Sequence, residues 1–335
     1  MTDSIAPRPL EDRKAVIDAF ARRHRFKWYE AIPWIAAVGG YFAFDSYHAL
    51  GAQIFATILF ALSLDLLIGF AGIVTLGHAA FFGVGAYAAG IMAANGWQEP
   101  LSQLLVAAVA ASGVGFASGL IVLRTAGLTL LMQTLVVAAL LQELANKWSS
   151  VTGGSDGLLG MKIDPIFGAF RFDLYGDTAY VYCLVVLFVG WLIARNIVYS
   201  SFGRSLTGIR ENPNRMHAIG APVDGRKIAI YTISAALAGV AGAMIAQTTA
   251  LVGLNTLALS KSGELIIMLV IGGVGQLYGA FIGVPLYMIA QDRFSQIDPI
   301  YWYFWIGLFM IFVVVFARGG VLGVCGRLLE RRRGR

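Results

Sequence analysis

The sequence predicts an all-α fold, a polytopic transmembrane helical bundle of about 8–10 spans with one broken pair. Three observations carry this. Hydrophobic residues make up 58% of the 335 and charged residues only 13%, with a mean hydropathy of +0.73. A soluble domain has about 25% charged residues and needs them to cover its surface. Several uncharged runs also reach the ~20 residues that cross a bilayer as a helix. Finally, the basic residues are bunched: residues 1–30 hold seven Lys/Arg, 195–227 hold six and 318–335 hold six, together 19 of the 25. Such blocks flank apolar segments at cytoplasmic ends. The net charge of +6 therefore reports topology rather than a nucleic-acid partner.

The blocks divide the chain into a cytoplasmic N-terminal segment (1–30), a transmembrane domain (31–317) with a cytoplasmic loop at 196–227, and a basic cytoplasmic tail (318–335). The first 30 residues are polar and lack the apolar core and small-residue cleavage site of a secretory signal. "LEDRKAVIDAFARRHRFKW" (10–28) reads as a basic amphipathic helix with Val16, Ile17 and Phe20 on its apolar stripe, suited to the inner leaflet or to a partner.

Uncharged runs between turn signals place spans near 31–48, 50–69, 73–95, 101–123, 126–146, 178–195, 228–252 and 299–317, with a longer apolar region at 264–291. With a cytoplasmic N-terminus, the span at 228–252 ends outside and the last must begin there. Region 264–291 therefore has to start and finish on the outer side. "IGGVGQLYGAFIG" (271–283) interrupts it at Gly272, Gly273 and Gly275, leaving halves of roughly 9 and 14 residues. It reads as a re-entrant pair of half-helices or two short tilted spans, covered by protein or lining a cavity. A single kinked helix is the alternative.

"GFAGIVTLGHAAFFGVGAY" (69–87) puts Gly69, Gly72, Gly77, Gly83 and Gly85 around His78, with Asp65 just before. Glycines permit close helix approach or a non-helical turn, as the small-xxx-small spacing of "GFASG" (115–119) and "GAFIG" (279–283) also does. Ionisable groups cost about 2.5 kcal/mol or more at the membrane centre and usually face a bundle interior or a pathway. His78 is thus a pathway residue or a structural hydrogen bonder. Asp65 lies nearer a span end, where snorkelling competes. Glu264, at the start of the broken region, reads as interfacial.

In the cytoplasmic loop, "SSFGRSLTGIRENPNRMHAIGAPVDGRK" (200–227) carries the punctuation of a short helix: Asn212 as N-cap, Pro213 at the first helical position and Gly220 past the end. Met216 and Ile219, three apart, share a face, with Arg215 and His217 on others. Such a helix suits docking into a groove on a partner; a solvated loop is the plain alternative.

No GxxxxGK[ST] phosphate loop is present, and "GGVGQLYG" lies in an uncharged 27-residue run without βαβ context. Four histidines (24, 48, 78, 217) are scattered too widely for usual metal spacings, and Cys183 and Cys325 have no partners at ligand spacing. No catalytic pair stands out, so the chain reads as not an enzyme.

"GFAGIVTLGHAAFFGVGAYAAG" (69–90), "VTGGSDGLLG" (151–160), "FGRSLTGIRENPNRMHAIG" (202–220), "AALAGVAGAM" (235–244) and "MLVIGGVGQLYGAFIG" (268–283) resemble, in order, the LivM-type permease subunits of branched-chain amino acid ABC importers, over roughly residues 50–320. The resemblance implies a multi-pass permease of the bacterial inner membrane. Its implied partners are a second LivH-like permease, two cytoplasmic ATP-binding subunits that use ATP and Mg, a periplasmic substrate-binding protein and membrane lipid. No cofactor would be held by this chain. It further implies ATPase coupling through Glu211, Asn212, Pro213, Asn214, Arg215, Met216, His217, Ile219 and Gly220, and a binding-protein-facing loop at Gly153, Gly154, Ser155 and Asp156. The translocation path would draw on Asp65, His78, Gly72, Gly77, Gly272, Gly273 and Gly275, with the glycines as pivots. Asp65, in "LDLLIG", departs from the Asn that many relatives carry there. The family also includes permeases for urea, short amides and aromatic acids. A stand-alone secondary transporter or channel is the alternative from another class.

Overall fold

The computed structural model describes residues 28–43, 47–165, 176–316, 320 and 323. Most of the N-terminal amphipathic stretch, nearly all of the basic tail, and Cys325 lie outside the described residues. The chain is a helical bundle, as expected. Among the described residues, five helices are long and apolar enough to cross a membrane: α2 with its continuation (His48–Ala71), α4 (Pro100–Val122), α5 (Leu128–Lys147), α6 (Asp177–Tyr199) and α9 (Val223–Thr249). Between and around them run α1 (Ile32–Ala43), α3 (His78–Ala94), α7 (Ser201–Glu211), α8 (Pro213–Ala218), α10 (Leu259–Gly272), α11 (Gly279–Ile297) and α12 (Trp302–Phe316).

The centre is built from close backbones. A Cβ on Gly85 of α3 would overlap the backbone of Gly239 on α9, and one on Gly242 would overlap the carbonyl of Phe82. Gly239 in turn abuts Ala107 and Ala111 of α4, and Gly115 abuts Ala235. Small residues win here because lipid supplies no hydrophobic drive between helices. Association rests on van der Waals contact, which grows as the axes approach. On the other side of this trio, α2 is the most enclosed span, while α4 and α5 turn Leu105, Val109, Leu128 and Leu140 outward.

Ion pairs pin the ends. His48, at the start of α2, lies 2.5 Å from Asp177 at the start of α6 and donates through Nε2 to the Tyr41 carbonyl of α1. Glu30, just before α1, accepts from Arg195 near the end of α6 at 3.0 Å. Hence α1 and α6 lie antiparallel. The α6 end at Tyr199 leads into α7 and α8, which defines one end of the bundle; the far end carries the loops around Gly96, residues 149–165 and Leu251.

Two expectations are corrected. The apolar region breaks at residues 273–278, but its helices run from Leu259 and to Ile297, 14 and 19 residues rather than the shorter halves expected. The break sits at the α7 end, beside Arg210, and the two helices form an antiparallel pair there. The irregular backbone at depth lies instead at 250–258. Val252 packs beside Gly90, Leu257 beside Gly83, and Ser262 accepts from the Ala79 amide at 2.9 Å, so the chain runs antiparallel along α3 with only a single 3₁₀ turn, Leu254–Thr256. Its first residues pair as β2 (Leu251–Val252) with β1 (Leu158–Leu159), Leu158 opposite Val252. The span expected at 73–95 likewise starts only at His78, because Gly72 turns the chain with φ +71°.

Gly85→Ala is expected to cost about 1–3 kcal/mol through overpacking of backbone on backbone, lowering the yield and melting temperature of the purified protein. Gly113→Ala, with open space at its Cβ position, gains about 1 kcal/mol of helix propensity and should melt no lower than the parent in the same assay.

Candidate functional site

The candidate coupling element forms as its residues dictate. The Ser200 hydroxyl caps α7 by accepting from the Gly203 amide at 3.2 Å. Asn212, with extended backbone, ends α7 and caps α8 through Oδ1, which accepts from the Arg215 amide at 3.0 Å. Pro213 occupies the first turn, where its missing N–H costs nothing. Gly220 closes the unit at φ +77°, its amide donating to the His217 carbonyl at 2.9 Å. Glu211, Asn212, Pro213, Asn214, Arg215, His217 and Gly220 are exposed, and Ile219 is 69% exposed. Met216 behaves differently: its sulfur packs back over Gly208 of α7 and joins the two short helices. The outward apolar contact is therefore Ile219, just past the end of α8.

α7 is amphipathic, with Gly203, Leu206 and Ile209 buried against the bundle. Arg210, exposed at the rim of that seat, reaches back across it toward the bundle. Its guanidinium donates to the Gly69 carbonyl. Gly69 lies in a π-helical turn, Leu66–Ala71, that extends α2. A wide turn of this kind frees carbonyls from the normal helical ladder, and Arg210 takes one of them. The Arg210 stem also fills the space where a Gly72 side chain would stand, and its tip lies 3.3 Å from the Cβ position of Gly275.

Asp65 completes this junction. It is 1% exposed, and Oδ1 accepts from the Gly275 amide at 2.7 Å while Oδ2 has no hydrogen-bond partner. Gly273 (φ +115°) and Gly275 (φ +76°) adopt backbone that side chains rarely allow, and Gly272 packs on Gly279 across the break. One junction thus unites Asp65, Gly69, Gly72, Gly275 and Arg210, with Gly272 and Gly273 next to it. Arg210 escaped the sequence reading. The signal was available: it follows directly on the buried stripe of Leu206 and Ile209, on the last turn before the Asn212 cap.

His78 belongs to a different knot. It is fully buried at the start of α3, its ring 5.5 Å from Phe60 and nearly parallel to it. The Ser63 hydroxyl donates to the Phe60 carbonyl at 2.6 Å, so the Nε2–H of His78 is the donor to Ser63 Oγ at 2.8 Å. Ser234 of α9 donates to the Ser63 carbonyl, and Ser262 of α10 accepts from the next amide of α3. Four helices meet at this polar point. Gly77 beside it packs on the Thr134 backbone of α5, and Gly83 on Leu257.

At the far end, Gly153, Gly154 and Gly157 all have positive φ and coil the loop after the turn Ser149–Thr152. Ser155 and Asp156 are exposed at its tip, the serine hydroxyl 3.3 Å from the carboxylate. The β1–β2 pair fixes the loop to the entry of the 253–258 stretch. Glu264 pairs with Lys261 at 2.9 Å, 24% exposed.

The family profile described as "Branched-chain amino acid transport system / permease component" matches residues 48–314. The chain belongs to this family. It is 22% identical over 298 residues to the high-affinity branched-chain amino acid transport system permease protein LivM of Escherichia coli K12, covering 83% of this chain and 70% of the relative. The corresponding LivM of Salmonella typhimurium LT2 matches with the same identity and coverage. No solved structure matches significantly. Family membership agrees with a transport subunit and with the helical membrane fold.

Ser63→Ala is expected to strand the buried imidazole N–H of His78 and lower stability by about 1–3 kcal/mol. Uptake per folded molecule should stay within about twofold if the knot is structural; a tenfold loss of uptake with unchanged melting would assign His78 to the path instead.

Proposed function

We propose that the chain is the transmembrane permease subunit of an ATP-driven importer, supplying half of the translocation path for branched-chain or other hydrophobic amino acids. A second, LivH-like permease supplies the other half. Two cytoplasmic ATPases use ATP and Mg, a periplasmic protein delivers substrate to the loop at Gly153–Asp156, and this chain holds no cofactor. The α7–α8 end and both termini face the cytoplasm, in keeping with the basic block at 195–227.

The observation that carries this reading is the reach of Arg210. The helix that presents the exposed α8 also lays the guanidinium of Arg210, itself at the exposed rim, onto the π-turn of α2 and beside the break at 273–278. A force on Glu211–Gly220 from an ATPase is delivered, one residue away, to the junction where α2, α10 and α11 meet. A stand-alone carrier has no use for a capped docking helix linked in this way. Asp65 holds the break from the other side through the Gly275 amide, and Gly72 and Gly77 flank the turn as pivots. Rigid bodies rocking about such glycine turns are a standard way to convert a local push into closure.

The test begins with gentle extraction of the tagged chain from native membranes. A second permease and two ATPases should co-purify, and scrambling 213–220 should lose the ATPases. In reconstituted vesicles, Arg210→Ala should cut uptake at least tenfold while ATP hydrolysis falls less than twofold; Arg210→Lys, which keeps charge but loses the planar fork, should fall between. Recovery of the chain alone, moving solute without ATP, overturns the proposal.

A further inference from the structure

A slot of about 480 Å³ lies between α1, α2, α6 and α11. It arises because α1 buries none of its own side chains. Trp34 leans on Phe188 and Phe281, the Tyr180 hydroxyl holds the Ala37 carbonyl at 2.6 Å, and α1 is propped away from α2. The shaft is mostly apolar, lined by Ile54, Phe55, Leu184 and Phe281 with the Trp34 indole N–H and the Tyr180 hydroxyl along it, and its charged groups, Asp292 and Arg293, gather at one end beside Tyr47. There the Arg293 guanidinium sits 5.9 Å from the Tyr47 ring centre. That end is the far end of the bundle, level with the start of α2.

We propose that this slot is a phospholipid site, taking one acyl chain along its shaft and the lipid phosphate against Arg293 at its mouth. Length and charge agree on this occupant. Along α11 the lining runs from Phe281 to Arg293, which at ~1.5 Å per residue is ~18 Å, slightly more than the ~15 Å of one leaflet's hydrocarbon. A single leaflet-deep apolar shaft below an Arg–Tyr mouth reproduces the order of tail and headgroup. Arginine is the side chain best shaped for a phosphate, and tyrosine and arginine both settle at the headgroup level. The Asp292 carboxylate, whose Oδ2 accepts from Gln296 at 2.8 Å, favours a headgroup that also carries an ammonium. An amino acid leaves most of the shaft empty.

The assembly containing the full chain is placed in nanodiscs of phosphatidylethanolamine and phosphatidylglycerol, doped with a phosphatidylethanolamine bearing a diazirine on its acyl chain. After irradiation, adducts on Ile54 and Phe281 should exceed those on Leu105 and Val109, which face outward from α4, by at least tenfold. Arg293→Ala should lower slot labelling several-fold, and Leu184→Trp, which fills the shaft, should abolish it while α4 labelling persists as an internal control for folding. Labelling of the slot no stronger than of α4, or unchanged by Arg293→Ala, overturns the proposal and leaves ordinary annular lipid. Cross-linking of a partner subunit or of a doped hydrophobic amino acid into the shaft in place of lipid also overturns it.

Discussion

Everything in this bundle depends on how near α3, α4 and α9 approach one another. Gly85, Gly239, Gly242 and Gly115 remove the side chains that would hold the axes apart. The resulting contact is between backbones, so it cannot be relieved by a rotamer change. α2 can then lie against this trio and be almost wholly enclosed, and the buried polar groups meet without water. The Ser63–His78 hydrogen bond and the Ser234 and Ser262 contacts around it exist only because four helices converge within reach of one serine. The geometry of the core decides which partners such groups find: Ser63, Ser234 and Ser262 are hydrogen-bonded, while Nδ1 of His78 has no hydrogen-bond partner.

The junction at Asp65 uses the opposite strategy. Glycines there do not tighten packing between regular helices but allow backbone that helices do not have: the π-turn, the reversal at Gly72 and the two positive-φ residues of the break. A carboxylate accepts from one loop amide and an arginine donates to one turn carbonyl. Each end of the junction is therefore held by a directional bond to main chain rather than by interdigitated side chains. Such bonds can be exchanged at little cost in packing.

Much of the architecture was legible in the chain. Hydropathy found the long spans because a membrane helix must satisfy its own backbone and so stays apolar for its whole length. Asn212, Pro213 and Gly220 gave the capped helix, since each acts locally on its own turn. The break at Gly272–Gly275 was visible for the same reason. The stretch at 250–258 was not: its residues, "ALVGLNTLA", look like the end of a span, and what keeps them non-helical is cover from α3 and the β1 pairing, which are distant in sequence. Periodicity groups Met216 with Ile219 on one face because it cannot see that Gly208 opens a seat for Met216 on α7. Arg210 was passed over because long cations near a basic loop look solvated until the fold brings a bare carbonyl to meet them. Hydropathy marked the spans but not the slot behind α1, which comes from a spacing between helices and not from any run of residues.

The two-residue pairing of β1 with β2 has a mechanical consequence. It fastens the loop at 153–157 to the chain that runs beside α3 into α10, and α10 ends at the glycines next to Arg210. The stretch at 253–258 and the 14-residue helix α10, ~21 Å at 1.5 Å per residue, thus together join the far-end loop to the junction along one covalent path. Any coupling carried along this path would, by thermodynamic linkage, be equal in both directions. Under the proposed function, the partners of the far-end loop and of α8 would sit at the two ends of one lever.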